Sequence, residues 1–218
     1  MTTRLAFISL ALGLLGACGN EATAPANGAA ASTPSAANAP YREGEHFTRV
    51  DPPVAAAENE IVEVFSYACP ACAQFQPEVD AWKRTRGDTV TLRYVPAEFF
   101  PAWVPFAQAF YSAQEMGVLG RLHRVIFDAL YRQGRQASNL PEIAEIVAAA
   151  GIDASQFLTV SQSPAVAEAA ERGRSYVRDA GVGSTPTLVV AGRYRVERKQ
   201  PDGVKPLDVV DWLLENKP

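Results

Sequence analysis

The sequence predicts an α/β fold in which a β-α-β unit and a β-β-α unit flank a block of helices. Three observations carry this. Two β-rich runs, Ile61 to Ser66 and Thr89 to Val95, enclose a segment with helical spacing. Trp103 to Ser161 holds no convincing strand. Two further strand-like runs lie near the C-terminus, followed by a last amphipathic stretch.

Taken in order, His46 to Val50 suits a short edge strand. Ile61 to Ser66 is β-branched and aromatic, and Val90, Leu92 and Tyr94 alternate with Thr91 and Arg93. Between them, Cys69 to Arg86 places Phe75, Val79 and Trp82 at i, i+4, i+7, with Pro77 expected to kink the helix. Ala107, Phe110, Tyr111 and Gln114 mark one face in the helical block, Leu122, Ile126, Phe127 and Leu130 a second, and Ile143, Ile146 and Val147 a third, with Gly151 as a stop. Pro164 to Ala180 reads as a further helix, ended by Gly181. Thr187 to Ala191 and Tyr194 to Glu197 read as a hairpin turning on Gly192-Arg193, and Leu207 to Asn216 as the closing helix. The sequence has no internal repeat.

The N-terminus follows other rules. Residues 1–17 combine one basic residue, Arg4, with an apolar run, Leu5 to Leu15, too short to span a bilayer. The run ends in Leu15-Gly16-Ala17-Cys18, which resembles a bacterial lipoprotein signal. That resemblance implies cleavage before Cys18 and lipid on Cys18; an ordinary secretory signal cleaved near Ala17 is the alternative. No aspartate follows Cys18, which leans toward the outer rather than the inner membrane. Residues 18–40 are rich in Ala, Ser, Asn, Thr and Pro and read as a tether with a span of about 25 Å. Residues 41–218 then form the folded part, with 41–102 and 181–218 as its core and about 103–180 as a helical insertion. Without the leader the formal charge moves from −4 to −5. No basic tract remains that would suggest nucleic acid; Arg172, Arg174, Arg178, Arg193, Arg195 and Arg198 read as solvated faces.

Cysteine usage gives the chemistry. Besides Cys18 the chain has only Cys69 and Cys72, in Cys69-Pro70-Ala71-Cys72. An export signal sends this pair to a compartment where disulfides persist. The strand-then-helix setting puts Cys69 at a helix N-terminus, where free N–H groups and the helix dipole favour a thiolate. A tetrahedral zinc site needs further ligands, and His46 and His123 are remote in sequence. Glu63 shares a strand face with Ile61 and Phe65, so it is expected to be buried with a raised pKa.

Glu63-Val64-Phe65-Ser66-Tyr67-Ala68-Cys69-Pro70-Ala71-Cys72 and Gly181-Val182-Gly183-Ser184-Thr185-Pro186-Thr187, over a βαβ–helical–ββα order, resemble DsbA-type oxidoreductases of the thioredoxin fold, with a helical domain inserted between the halves. The resemblance implies Cys69 as nucleophile, Cys72 as the resolving cysteine, Glu63 as a proton relay to Cys72, and Pro186 as a cis-proline facing the pair. It implies that Thr185, Pro70, Ala71 and Tyr67 border the substrate. His123 reads as a surface or partly packed residue, and Gln76, at a position often acidic in the family, is given no role. Ala71 stands where the family usually has histidine, so Cys69 is expected to be less acidic and the protein a weaker oxidant; Thr185 stands where valine is common, and threonine there resembles isomerase-type relatives. The partners implied are exported proteins with cysteines and a membrane redox partner; no organic cofactor is implied, because the disulfide itself is the redox group. The alternatives are a disulfide isomerase or reductase kept reduced by that partner, a metal-handling lipoprotein, and an adaptor that keeps only the fold.

Overall fold

The computed structural model describes residues 39–201 and 203–218. The leader 1–17, Cys18 and nearly all of the tether 18–40 lie outside the described residues.

Five strands form one sheet in the order β1-β5-β4-β2-β3. They are β1 (Thr48–Arg49), β2 (Glu60–Phe65), β3 (Thr91–Pro96), β4 (Thr187–Val190) and β5 (Tyr194–Glu197). β2 pairs parallel with β3, and every other pairing is antiparallel. The parallel pair needs a crossover, and α1 (Pro70–Arg86) supplies it. Then come α2 (Val104–Glu115), α3 (Leu119–Phe127), α4 (Leu140–Ala149), α5 (Ala154–Ser161) and α6 (Pro164–Asp179), all between β3 and β4. α7 (Pro206–Asn216) closes the chain. The thioredoxin-type α/β arrangement expected from sequence is the one observed.

The period of two along β2 separates its side chains cleanly. Ile61, Glu63 and Phe65 face α1, and Ile61 joins Phe75, Val79, Trp82, Leu188 and Val210 in one apolar cluster. Val62 and Val64 point the other way, into a cluster with Val95, Val177, Ala180, Val182 and Val189. A third cluster joins Phe65, Cys69 and Cys72 to Phe110, Leu122, Ile126 and Phe157 of the helical block. The cysteine pair therefore sits where the sheet meets the helices.

Local chemistry sets the helix ends. α4, α5 and α6 are capped by Asn139, Asp153 and Ser163, whose side chains accept backbone N–H groups of the first turn. Pro141 and Pro164 occupy the first turn of α4 and α6, where no N–H is needed. The β4–β5 turn differs from expectation by one residue. Ala191 and Gly192, both at positive φ, are its central pair, and the N–H of Arg193 closes it on Val190. A Cβ on Gly192 would stand 2.0 Å from the carbonyl oxygen of Val54, so the close approach of that segment fixes glycine there.

Candidate active site

Cys69 is the N-cap of α1, with extended backbone (φ −98°, ψ 111°) and Pro70 next to it in the first turn. Unlike the caps of α4, α5 and α6, it makes no side-chain capping bond. The first N–H groups of α1 are thus left for the sulfur. The Cys69 residue is only 7% exposed, and its Sγ lies 3.6 Å from the carbonyl oxygen of Thr185. Cys72 is wholly buried one turn further on, its N–H donating to the Cys69 carbonyl at 3.1 Å.

The two thiols are driven apart in acidity. Hydrogen bonding from the Cys72 thiol lowers Cys69 to about 5, helped by Thr185 and the backbone N–H groups of Cys72 and Ala71, while burial works against it. Burial, then the neighbouring Cys69, pushes Cys72 far above the ordinary thiol range. One thiol is therefore an anion at neutral pH and its partner holds its proton.

The Thr185–Pro186 peptide is cis, with Pro186 buried and Thr185 half-buried. Pro70 is exposed and Ala71 half-buried beside the pair. Glu63 is completely buried, and neither carboxylate oxygen has a hydrogen-bond partner among the described residues. Burial, with Asp80 and Cys69 nearby, pushes its carboxyl up to about 8.

Tyr67 corrects an expectation. It is fully buried rather than at a groove edge, with its ring packed on Phe65 and Phe127 and its hydroxyl 2.9 Å from His123 Nδ1. The segment after β2 dips under α3 before it reaches Cys69, which carries Tyr67 inward. His123 is likewise buried, not on the surface, and burial lowers it to about 4. Its Nε2 lies 3.0 Å from Gln76 Oε1, so Nε2 donates and Nδ1 accepts from Tyr67. Gln76 Nε2 in turn donates to Asp80 Oδ1 at 3.0 Å and to the Tyr94 hydroxyl at 3.1 Å, and Arg124 pairs with Asp80.

Sequence reasoning missed this network. Its one legible signal was the i, i+4 spacing of Gln76 and Asp80 on α1. Tyr131 was missed too. It lies in a π-helical turn, Asp128–Arg132, of the kind frequent at functional sites. Burial and the adjacent Cys69 and Cys72 raise its phenol to about 12.

Known proteins share this arrangement. The profile of the DSBA-like thioredoxin domain family matches residues 60–214. The thiol:disulfide interchange protein DsbA of Azotobacter vinelandii is 35% identical over 159 residues, covering 72% of this chain and 74% of that protein. The DsbA of Pseudomonas aeruginosa strain PAO1 is 28% identical over 181 residues, covering 81% and 86%. Among solved structures, oxidoreductase DsbA from Xylella fastidiosa superposes with a TM-score of 0.74 at 30% identity, covering 80% of this chain and 96% of that one. The crystal structure of P. aeruginosa DsbA gives 0.73 at 28% identity, covering 81% and 94%. The chain belongs to the DSBA-like thioredoxin family and is a thiol:disulfide oxidoreductase.

Proposed function

We propose that Cys69 and Cys72 exchange a disulfide with cysteine-bearing exported proteins, with Cys69 as the attacked and attacking sulfur. The observation that carries this is the split in thiol acidity across one helical turn, with the acidic partner capping α1. In the oxidised protein a substrate thiolate attacks Cys69 Sγ. The Cys69–Cys72 bond breaks, and Cys72 leaves with the electron pair. Glu63, protonated below about pH 8, gives Cys72 its proton. A second substrate thiolate then attacks the substrate sulfur of the mixed disulfide and expels Cys69 as a stabilised thiolate. The substrate loses two electrons and the protein gains them. A membrane redox partner restores the disulfide.

Pro186 and Thr185 hold the substrate peptide, with the backbone of Thr185 offering strand-like pairing and Pro70 and Ala71 forming the near wall. Ala71 carries no charge, which fits a Cys69 held near 5 rather than near the extreme of about 3.5 known for DsbA. This moderates the protein as an oxidant and leaves isomerase or reductase work open to it. Metal handling is disfavoured by a specific observation: both ring nitrogens of His123 are engaged, and Nδ1 of His46 accepts the N–H of Arg42 at 3.0 Å.

The leader and Cys18 support export and anchoring by lipid to a bacterial membrane, the outer one favoured, with residues 18–40 as tether to the domain at 41–218. No helix among the described residues is long and apolar enough to cross a membrane.

Equilibration in glutathione buffers, with free thiols counted, tests the reading. A potential near about −120 mV marks a disulfide donor; one near about −270 mV marks a reductant and ends the oxidase assignment. Labelling with a radioactive fatty acid, lost in Cys18→Ser, tests the anchor.

A further inference from the structure

A buried carboxyl that gives its proton to Cys72 must take another from solvent, and Glu63 has no solvent of its own. Its neighbours show where the proton can come from. In the sheet register Glu63 stands beside Tyr94 of β3 and Leu188 of β4. The titratable and charged groups around it are Cys69, Cys72 and Asp80 on the α1 side and Tyr94 on β3, with Tyr67, His123 and Arg124 behind.

The hydrogen-bond network runs in one direction. Tyr67 donates to His123, His123 to Gln76, and Gln76 to both Asp80 and Tyr94. The Tyr94 hydroxyl therefore receives a bond, and its own hydrogen has no acceptor among the described residues. Glu63 is the reverse case, an acceptor with no donor, at the adjacent position on the same face. Tyr94 also lines an open surface cleft together with Gln76, Asp80, His123 and Arg124.

We infer that the Tyr94 hydroxyl, oriented by Gln76 and Asp80, is the link through which Glu63 exchanges its proton with solvent. The inference rests on Glu63 being the relay to Cys72. The hydroxyl passes its hydrogen to the carboxylate through one bridging water, since neither carboxylate oxygen has a hydrogen-bond partner among the described residues, and regains one from the cleft. The balance is one proton from solvent to Cys72 for each disulfide donated. Tyr94, Gln76 and Asp80 are positioning residues, because none touches the reacting sulfurs. Asp80 also tunes Glu63: its negative charge favours the protonated carboxyl, and Arg124 moderates it.

The test is the pH profile of glutathione reduction of the oxidised full-length protein, paired with the infrared carboxyl band that Glu63→Gln removes. Glu63→Gln should abolish the inflection. Asp80→Asn should move both inflection and band transition to lower pH by about 1 unit, because a like charge is lost. Tyr94→Phe should move them to higher pH, because the donor that reaches the carboxylate through the bridging water is lost. General loosening of the fold cannot produce opposite signs. Both variants shifting the same way, or neither shifting while Glu63→Gln still abolishes the inflection, overturns the link and leaves the relay standing. An inflection that survives Glu63→Gln overturns the relay, and the link with it. Gln76→Leu removes the bond that orients the Tyr94 hydroxyl and leaves Glu63 in place; it should shift the profile the same way as Tyr94→Phe, and no shift overturns the link even where Tyr94→Phe folds poorly.

Discussion

The two faces of β2 treat polar groups in opposite ways. In the block, α4, α5 and α6 have side-chain caps while α2 and α3 have none, Tyr176 of α6 buries a hydroxyl with no partner among the described residues, and the face of β2 packed toward Val177 of α6 is wholly apolar. On the α1 side the helix starts at a cysteine that makes no side-chain capping bond, and a carboxyl sits buried with no partner among the described residues. Both features cost stability. A missing cap is worth about 1 kcal/mol, and an unpaired buried polar group about 1–3 kcal/mol. They fall on the two sides of the reactive thiols. The face of β2 that packs against α6 is apolar throughout, whereas the face toward α1 carries the buried acid that the chemistry uses.

The largest expected effect comes from Cys69→Ser. Exchange with a cysteine substrate should vanish, while stability holds or rises by up to ~1 kcal/mol, because serine is a normal N-cap. A full loss of folding would show that the cysteine is structural and break the contrast.

Moving the acid to the other face is the next test. Val64→Glu places a carboxyl among Val95, Val177 and Val189 and should cost ~3–5 kcal/mol in denaturant unfolding, without producing a second proton relay.

Glu63→Gln should slow exchange by about a hundredfold and change how stability depends on pH. The sign follows from linkage. A folded carboxyl raised to about 8 keeps its proton over a range where the unfolded chain has lost it. Stability contributed below the ordinary carboxylate pKa is therefore lost as pH rises toward about 8, at up to ~1.4 kcal/mol per pH unit. Glu63→Gln should flatten that slope. In the oxidised protein the Cys69 charge is gone, so burial and Asp80 alone hold the Glu63 carboxyl up and the slope ends at a lower pH; it is still the right sample, because in the reduced one the lowered Cys69 adds an opposite slope between about 5 and the ordinary thiol value.

Ala71→His should lower the Cys69 pKa by roughly 1 unit in a thiolate absorbance titration and make the disulfide more oxidising. The smallest effect is Asp153→Ala. It removes two first-turn hydrogen bonds from α5 and should cost ~1 kcal/mol in a thermal melt, with exchange unchanged.

Much of this molecule was legible in the sequence because the signals are local. Val90, Leu92 and Tyr94 alternate as a strand must, and Phe75, Val79 and Trp82 recur as a helix face must; all but Leu92 and Tyr94 are buried as residues of the core. The reactive pair was legible because Cys-Pro-Ala-Cys at a strand-to-helix junction puts a sulfur at a helix start. Tyr67, Gln76 and His123 were not, because their partners are 56 and 47 residues apart in the chain. Neither the depth of Tyr67 nor the tautomer of His123 follows from any window of sequence.

By itself the sequence determined the order of strands and helices, the place of Cys69 at the head of α1, and the acid two positions before Phe65. Periodicity and helix-end chemistry depend only on near neighbours. The tertiary structure alone decided that Glu63 has no hydrogen-bond partner among the described residues, that Thr185 and Cys69 meet across the cis-proline loop, and that Tyr94 sits beside Glu63 and lines a surface cleft. Each of these depends on which distant segments are brought together to exclude water, and it is that exclusion which separates the two thiols and holds a proton on the carboxyl.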